Sequence, residues 1–162
     1  MREWILPPAP ATLVPVENAE RHSISVNDIP HRPPFSFVDE IVEVDDRRIV
    51  TRWVSDGAAA FFRGHYPNRP IVPGVLLCEC CFQAGALLIV HRVGGFSAGW
   101  RVPVVTRISD ARFKRMVGPG QTLRIEVTLD EELEGAFFFT GRVTVENQLV
   151  ARVGFACMAA EE

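Results

Sequence analysis

Residues 75–90 read VLLCECCFQAGALLIV, a run without proline whose polar side chains are Glu79 and Gln83. It is too long for one strand and reads as a helix of about 16 residues, roughly 24 Å at 1.5 Å per residue. Apart from Glu79 and Gln83 it is apolar or small on every side, the pattern of a helix buried all round. A membrane span is the obvious competitor. A central glutamate costs ~2.5–3.5 kcal/mol on insertion scales, and the small Gly, Ala and Cys residues offset little of that. No other segment is a span candidate, so we read a core helix and no membrane span.

On both sides of the helix the chain reads as strands. Val38–Val44 (VDEIVEV) alternates imperfectly, DDRR supplies a turn, and IVTRWV continues as a second strand of a hairpin. After HRVGGFSAGW come VPVVTRI, TLRIEVTLDE, AFFFTGRVTVE and LVARVGFACMA, separated by GPGQ, ELEG and ENQ. A hairpin, one long helix and four strands in meander-like succession predict an α+β fold, an antiparallel β-sheet wrapped around one long central α-helix. Residues 1–27 are Pro-rich and aperiodic and read as an N-terminal arm, leaving 28–162 as one domain.

The whole chain has 162 residues, 48% of them hydrophobic, and a net charge of −3, a globular profile without a nucleic-acid footprint. The N-terminus MREWILPPAPATLVP is interrupted by prolines and makes a poor signal peptide. The four cysteines lack scaffold-like spacing, which points to a reducing compartment, and the expected location is cytoplasmic. Cys78 and Cys81 have C-x-x-C spacing, but no second pair follows, and they read with Cys80 as small core residues; no metal site is expected.

Glu79 and Gln83 are four apart and share one helix face. A carboxyl group removed from water must be hydrogen-bonded, paired or protonated, and a held proton is what a general acid needs. Taken alone, a satisfied core Glu–Gln pair, or a carboxylate facing a subunit interface, explains these residues better than catalysis does. His65 alters that balance. It lies in GHYP, where Gly64 and Pro67 define a loop close in sequence to the helix start, and a histidine converging with a carboxyl group makes an acid/base pair. Gly74 follows Pro73 at the helix entrance, where first-turn N–H groups are free to meet an enolate oxygen. His31, in PHRPPF, reads as a turn-capping or interface residue.

HYPNRPIVPGVLLCECCFQ (residues 65–83) resembles the signature of the FabZ-type 3-hydroxyacyl-[acyl-carrier-protein] dehydratases: His, aromatic, Pro, two residues, Pro, two residues, Pro-Gly-Val-Leu, then Glu and Gln at these offsets. The similarity extends upstream to IPHRPPFSFVDEI and downstream to ISDARFKRMVGPG. It implies a hotdog fold and a homodimer whose active sites are shared between subunits, with further assembly to hexamers in many members. His65 is then the base at the α-carbon, Glu79 the acid that releases the hydroxyl, Gly74 the donor to the thioester carbonyl, and Gln83 the orienting residue. The resemblance implies no cofactor. The acyl chain would arrive on the phosphopantetheine arm of an acidic acyl carrier protein, for which Arg112, Lys114 and Arg115 are the expected docking cations. Glutamate at position 79, where the related dehydratase–isomerases carry aspartate, implies dehydration without isomerisation.

Departures from the pattern are Val104 and Val105 in place of aromatics, Arg107 in place of glycine, and Gln121 in place of an acidic residue. They bear on tunnel shape and chain length. Two alternatives remain: a hotdog acyl thioesterase, which would release free thiol, and a non-catalytic acyl-binding hotdog subunit.

Overall fold

The structure, a computed structural model, describes residues 24–94 and 103–159. Residues 1–23 of the expected arm (1–27), His22 with them, and the loop residues 95–102 lie outside the described residues. At the end of that arm, Ser25 caps a 3-10 turn at Val26–Asp28, accepting from the Asn27 N–H at 3.2 Å. Ile24 and Val26 pack against the core.

The predicted hairpin is β1 (Glu40–Val44) and β2 (Arg48–Val54). A four-residue helix α1 (Phe61–Gly64), which the sequence did not announce, buries Phe62. The long helix α2 runs Gly74–Val93, one residue earlier and three later than its apolar run, and stops at Gly94 in the left-handed region (φ 78°), where a Cβ would be strained. The remaining strands are β3 (Pro103–Phe113), β4 (Thr122–Leu133), β5 (Ala136–Val145) and β6 (Gln148–Ala159).

The six strands form one antiparallel sheet in the order β1-β2-β4-β5-β6-β3. β4, β5 and β6 are a meander, joined by two-residue turns at Glu134-Gly135 and Glu146-Asn147, all four residues at positive φ. The expectation of a four-strand meander fails at β3. The edge of β4 that a meander would offer it is occupied by β2, from Arg48↔Thr128 to Val54↔Thr122. β3 therefore pairs with β6 at the far edge, with two register shifts, and runs on through the ARF of ARFKR.

Alternate residues of the strands face α2. Ile49, Thr51 and Trp53 of β2, Leu123, Ile125, Val127 and Leu129 of β4, and Val153, Phe155 and Cys157 of β6 are buried. From the helix, Leu77 and the run Ala84–Val90 meet them. Each fully buried Leu, Ile, Val or Phe contributes roughly 1.5–3 kcal/mol. The helix lies so close that a Cβ on Gly141 of β5 would sit 2.7 Å from Cys81 Sγ, so the middle of that strand carries no side chain. With two-thirds of its most apolar window buried, α2 is the core of the sheet and not a span. This is the hotdog architecture.

Candidate active site

Gln83 is fully buried and uses both amide protons and its oxygen. Its Nε2 donates to Glu79 Oε1 at 2.9 Å and to the Phe35 carbonyl at 3.2 Å, while its Oε1 accepts from the Phe37 N–H at 2.8 Å. One side chain thus donates to the carboxyl group and also fastens the loop before β1 to the helix. The loop is packed as well as bonded, since Phe35, Phe37 and Trp53 form an edge-to-face series.

That loop brings His31 to the site. His31 Nε2 lies 3.5 Å from Glu79 Oε1, and its Nδ1 is buried without a hydrogen-bond partner among the described residues. The reading of His31 as a turn-capping or interface residue did not include this contact. A usable signal was present: a buried glutamine has three groups to satisfy and Glu79 accounts for one of them, so a second segment had to be close.

His65 is the residue after α1. Its backbone N–H bonds the Phe61 carbonyl at 2.8 Å, and its ring Nδ1 lies 3.1 Å from the Ile71 carbonyl. A carbonyl only accepts, so Nδ1 carries a proton, and in the neutral ring Nε2 is then the nitrogen with the lone pair, the form a general base requires. Val72 N–H to the Val117 carbonyl (2.7 Å) ties the loop to the segment after β3. Within one chain the ring beside Glu79 is therefore His31, while His65 is held by its own loop.

Gly74 is the first residue of α2, behind Pro73 as N-cap, so its N–H has no acceptor inside the helix. The space a Cβ would take is bounded by the Phe113 ring, 3.1 Å away. Phe113 is half exposed at the end of β3 and roofs the helix entrance, an aromatic position not singled out from the sequence.

The expected docking cations are exposed. Arg112, paired with Asp110 at 3.0 Å, stands directly opposite Arg152, which stands opposite Arg142. Lys114 and Arg115 follow in the loop after β3. Like charges facing each other across strands are unfavourable, and this row extends the basic patch over three strands.

The four cysteines are buried and unbridged. Burial pushes their thiols up, with the Glu79 charge adding to the effect at Cys78 and Cys157, and Cys157 reaches about 12. They are packing residues rather than ligands or nucleophiles. Val104 and Val105 are exposed on β3, and the Arg107 guanidinium lies 5.4 Å from the centre of the Phe138 ring. Gln121 Oε1 accepts from the Gly118 N–H at 2.7 Å, a contact a carboxylate oxygen would make equally well. That departure leaves the loop intact.

Residues 29–154 match the family model of the FabA-like domain. The chain is 36% identical over 151 residues to the 3-hydroxyacyl-[acyl-carrier-protein] dehydratase FabZ of Anaeromyxobacter dehalogenans, covering 90% of this chain and 97% of that protein. It is 39% identical over 140 residues to FabZ of Herpetosiphon aurantiacus, covering 81% and 94%. Among solved structures, the dehydratase heterocomplex ApeI:P from Xenorhabdus doucetiae superposes with a TM-score of 0.73 at 16% identity, over 87% of this chain and 94% of that one. A hypothetical thioesterase with coenzyme A from Streptococcus pneumoniae superposes with a TM-score of 0.58 at 13% identity, over 76% and 89%. At such identities the structural likenesses speak for the shared fold.

Proposed function

The chain belongs to the FabA-like family, and on that premise we propose that it dehydrates 3-hydroxyacyl-[acyl-carrier-protein] thioesters to trans-2-enoyl thioesters through His65 and Glu79. The observation that carries the assignment is a single carboxyl group in an apolar core helix, held by Gln83 at 2.9 Å. His65 Nε2 removes a proton from the α-carbon. The electron pair passes through an enolate, whose oxygen meets the Gly74 N–H at the positive end of α2. It then forms the α,β double bond as the β-carbon–oxygen bond breaks, and Glu79 supplies the proton with which the hydroxyl leaves as water. Proton exchange with solvent returns His65 and Glu79 to their starting forms.

The two groups meet across a dimer. β3 is a sheet edge whose Val104, Val105, Ile108 and Phe113 are exposed, and an uncovered apolar edge is a template for another strand. Pairing two copies along β3 brings His65 of one subunit toward Glu79 of the second, and three such dimers make a hexamer. Residues 28–162 are the catalytic domain, acting in the cytoplasm. Arg112, Lys114 and Arg115, with Arg152 beside them, receive the acidic carrier protein.

The test is mass spectrometry of a 3-hydroxyacyl-carrier-protein thioester incubated with the protein, beside His65→Ala and Glu79→Gln. The expected result is loss of one water from the intact thioester, absent in both variants. Free carrier would assign the chain to the thioesterases, and an unchanged thioester across chain lengths would make it an acyl-binding subunit.

A further inference from the structure

The two oxygens of Glu79 are not equivalent. Oε1 receives Gln83 Nε2 and lies 3.5 Å from His31 Nε2, whereas Oε2 has no hydrogen bond among the described residues. We propose that His31 is a positioning residue for dehydration, its Nε2–H acting with Gln83 to hold Oε1 as an acceptor so that the transferable proton resides on Oε2. This rests on the dehydratase reading only for its consequence in turnover; the orientation itself is a property of the protein alone.

The tautomer follows from what surrounds the ring. His31 Nδ1 is buried and has no hydrogen-bond partner among the described residues. With the proton on Nδ1, an N–H would be buried without an acceptor while the Nε2 lone pair faced a carboxyl oxygen. With the proton on Nε2, a donor lies 3.5 Å from Oε1 and only an acceptor is left over at Nδ1. Orphaned buried N–H groups are the rarer and costlier of the two, so the Nε2–H form is favoured.

The ring is also held too firmly for its place to be incidental. The Arg32 guanidinium bonds the carbonyls of Ile29 (2.5 Å), His31 (2.6 Å) and Asn27 (3.1 Å), wrapping its own loop. Ile29 is buried, the Phe35 N–H bonds the Arg32 carbonyl at 2.8 Å, and the Phe35 ring stacks on His31. Gln83 then joins the Phe35 carbonyl and the Phe37 N–H to the helix, so the amide that orients Glu79 also registers the loop that brings His31 to it. A carboxyl group with one oxygen held by two donors protonates a leaving hydroxyl from a defined direction, and with one donor it can turn.

Two measurements on the full chain decide the matter. Long-range 1H–15N spectra report the tautomer of each histidine ring. The expected result is Nε2–H for His31, and Nδ1–H would overturn the proposal. Turnover is then compared for His31→Phe, which keeps the stacking and removes both nitrogens, and His31→Gln, whose amide reaches where Nε2 was. We expect kcat to fall about 10- to 100-fold in the first with KM unchanged, the scale on which removal of an orienting partner acts. Recovery to within about threefold is expected in the second. Unchanged kcat in His31→Phe, or equal loss in both folded variants, would overturn it. If His31→Phe does not fold, the spectrum and His31→Gln still decide. If the wild type turns over no thioester, the dehydratase reading fails while the tautomer result stands on its own.

Discussion

The two halves of α2 are both largely apolar and serve different ends. From Ala84 to Val90 every side chain is buried against the sheet, and nothing polar interrupts the packing. From Gly74 to Gln83 the helix is partly uncovered at Val75, Leu76, Glu79 and Phe82, and it is met by the loop before β1 as well as by strands, Cys81 lying against Gly141 of β5 and Phe82 against Phe155 of β6. The carboxyl group, the free first-turn N–H groups and the tether to the His31 loop all lie in this half. Strands supply a continuous apolar wall, which suits stability. Loops bring polar backbone and side chains from distant parts of the chain, which suits chemistry. One buried residue, Gln83, stands where the two halves meet.

If that division holds, a change at the front of the helix should abolish activity and leave the fold intact. Glu79→Gln keeps an acceptor oxygen for Gln83 while removing the transferable proton, and is expected to lower kcat by about 10²–10⁴-fold. Its melting temperature should stay within a few degrees of wild type; a large drop would break the comparison. Leu87→Ala, in the fully buried back half, does the converse, costing about 2–5 kcal/mol of stability while the folded fraction keeps its turnover number. Denaturant titration and assays normalised to folded protein check both parts.

Gln83→Leu should affect both halves. It strands the Phe37 N–H and releases Glu79, so a loss of about 1–3 kcal/mol is expected together with lower kcat. Loss of only one of the two would separate roles that the geometry joins.

The smallest effect lies far from the helix, on the outer face of the sheet. Hydrogen bonds from Arg48, and secondarily from Arg124, hold the Glu126 carboxyl below the usual carboxylate range. A carboxyl with a lowered folded value stabilises the protein above its unfolded pKa, and that stabilisation is lost as pH falls through the folded value. Glu126→Gln should therefore destabilise by less than about 1 kcal/mol near neutral pH, with the deficit shrinking to nothing in acid. A deficit that grew in acid would contradict the ion pair as its cause.

Much of this was legible in the residues. The apolar run located α2 to within three residues at either end, because a helix buried all round leaves a signal that needs no knowledge of its partners. Turn residues marked the ends of β4, β5 and β6, and the spacing from His65 to Gln83 was specific enough to suggest the chemistry. The four-residue helix α1 was too short to show a period. The place of β3 was not legible either, since any of these strands has the composition to pair with any other, and β2 had already taken the free side of β4. The contact of His31 with Glu79 was not legible, because its neighbours in sequence are prolines and an arginine, whereas this neighbour in space is 48 residues away.

The sequence by itself determined the long helix, the strands and the family motif, because propensity, periodicity and spacing are local properties of the chain. Only the tertiary structure decided which ring stands beside Glu79, which nitrogen of His65 is free, what Gln83 ties down and which strand is left as an edge. These depend on hydrogen bonds and packing between segments some 46–48 residues apart, such as Phe37 and Phe35 with Gln83. Such contacts form only after the helix has been enclosed, when each buried donor and acceptor must find whatever partner the closed fold has brought within reach.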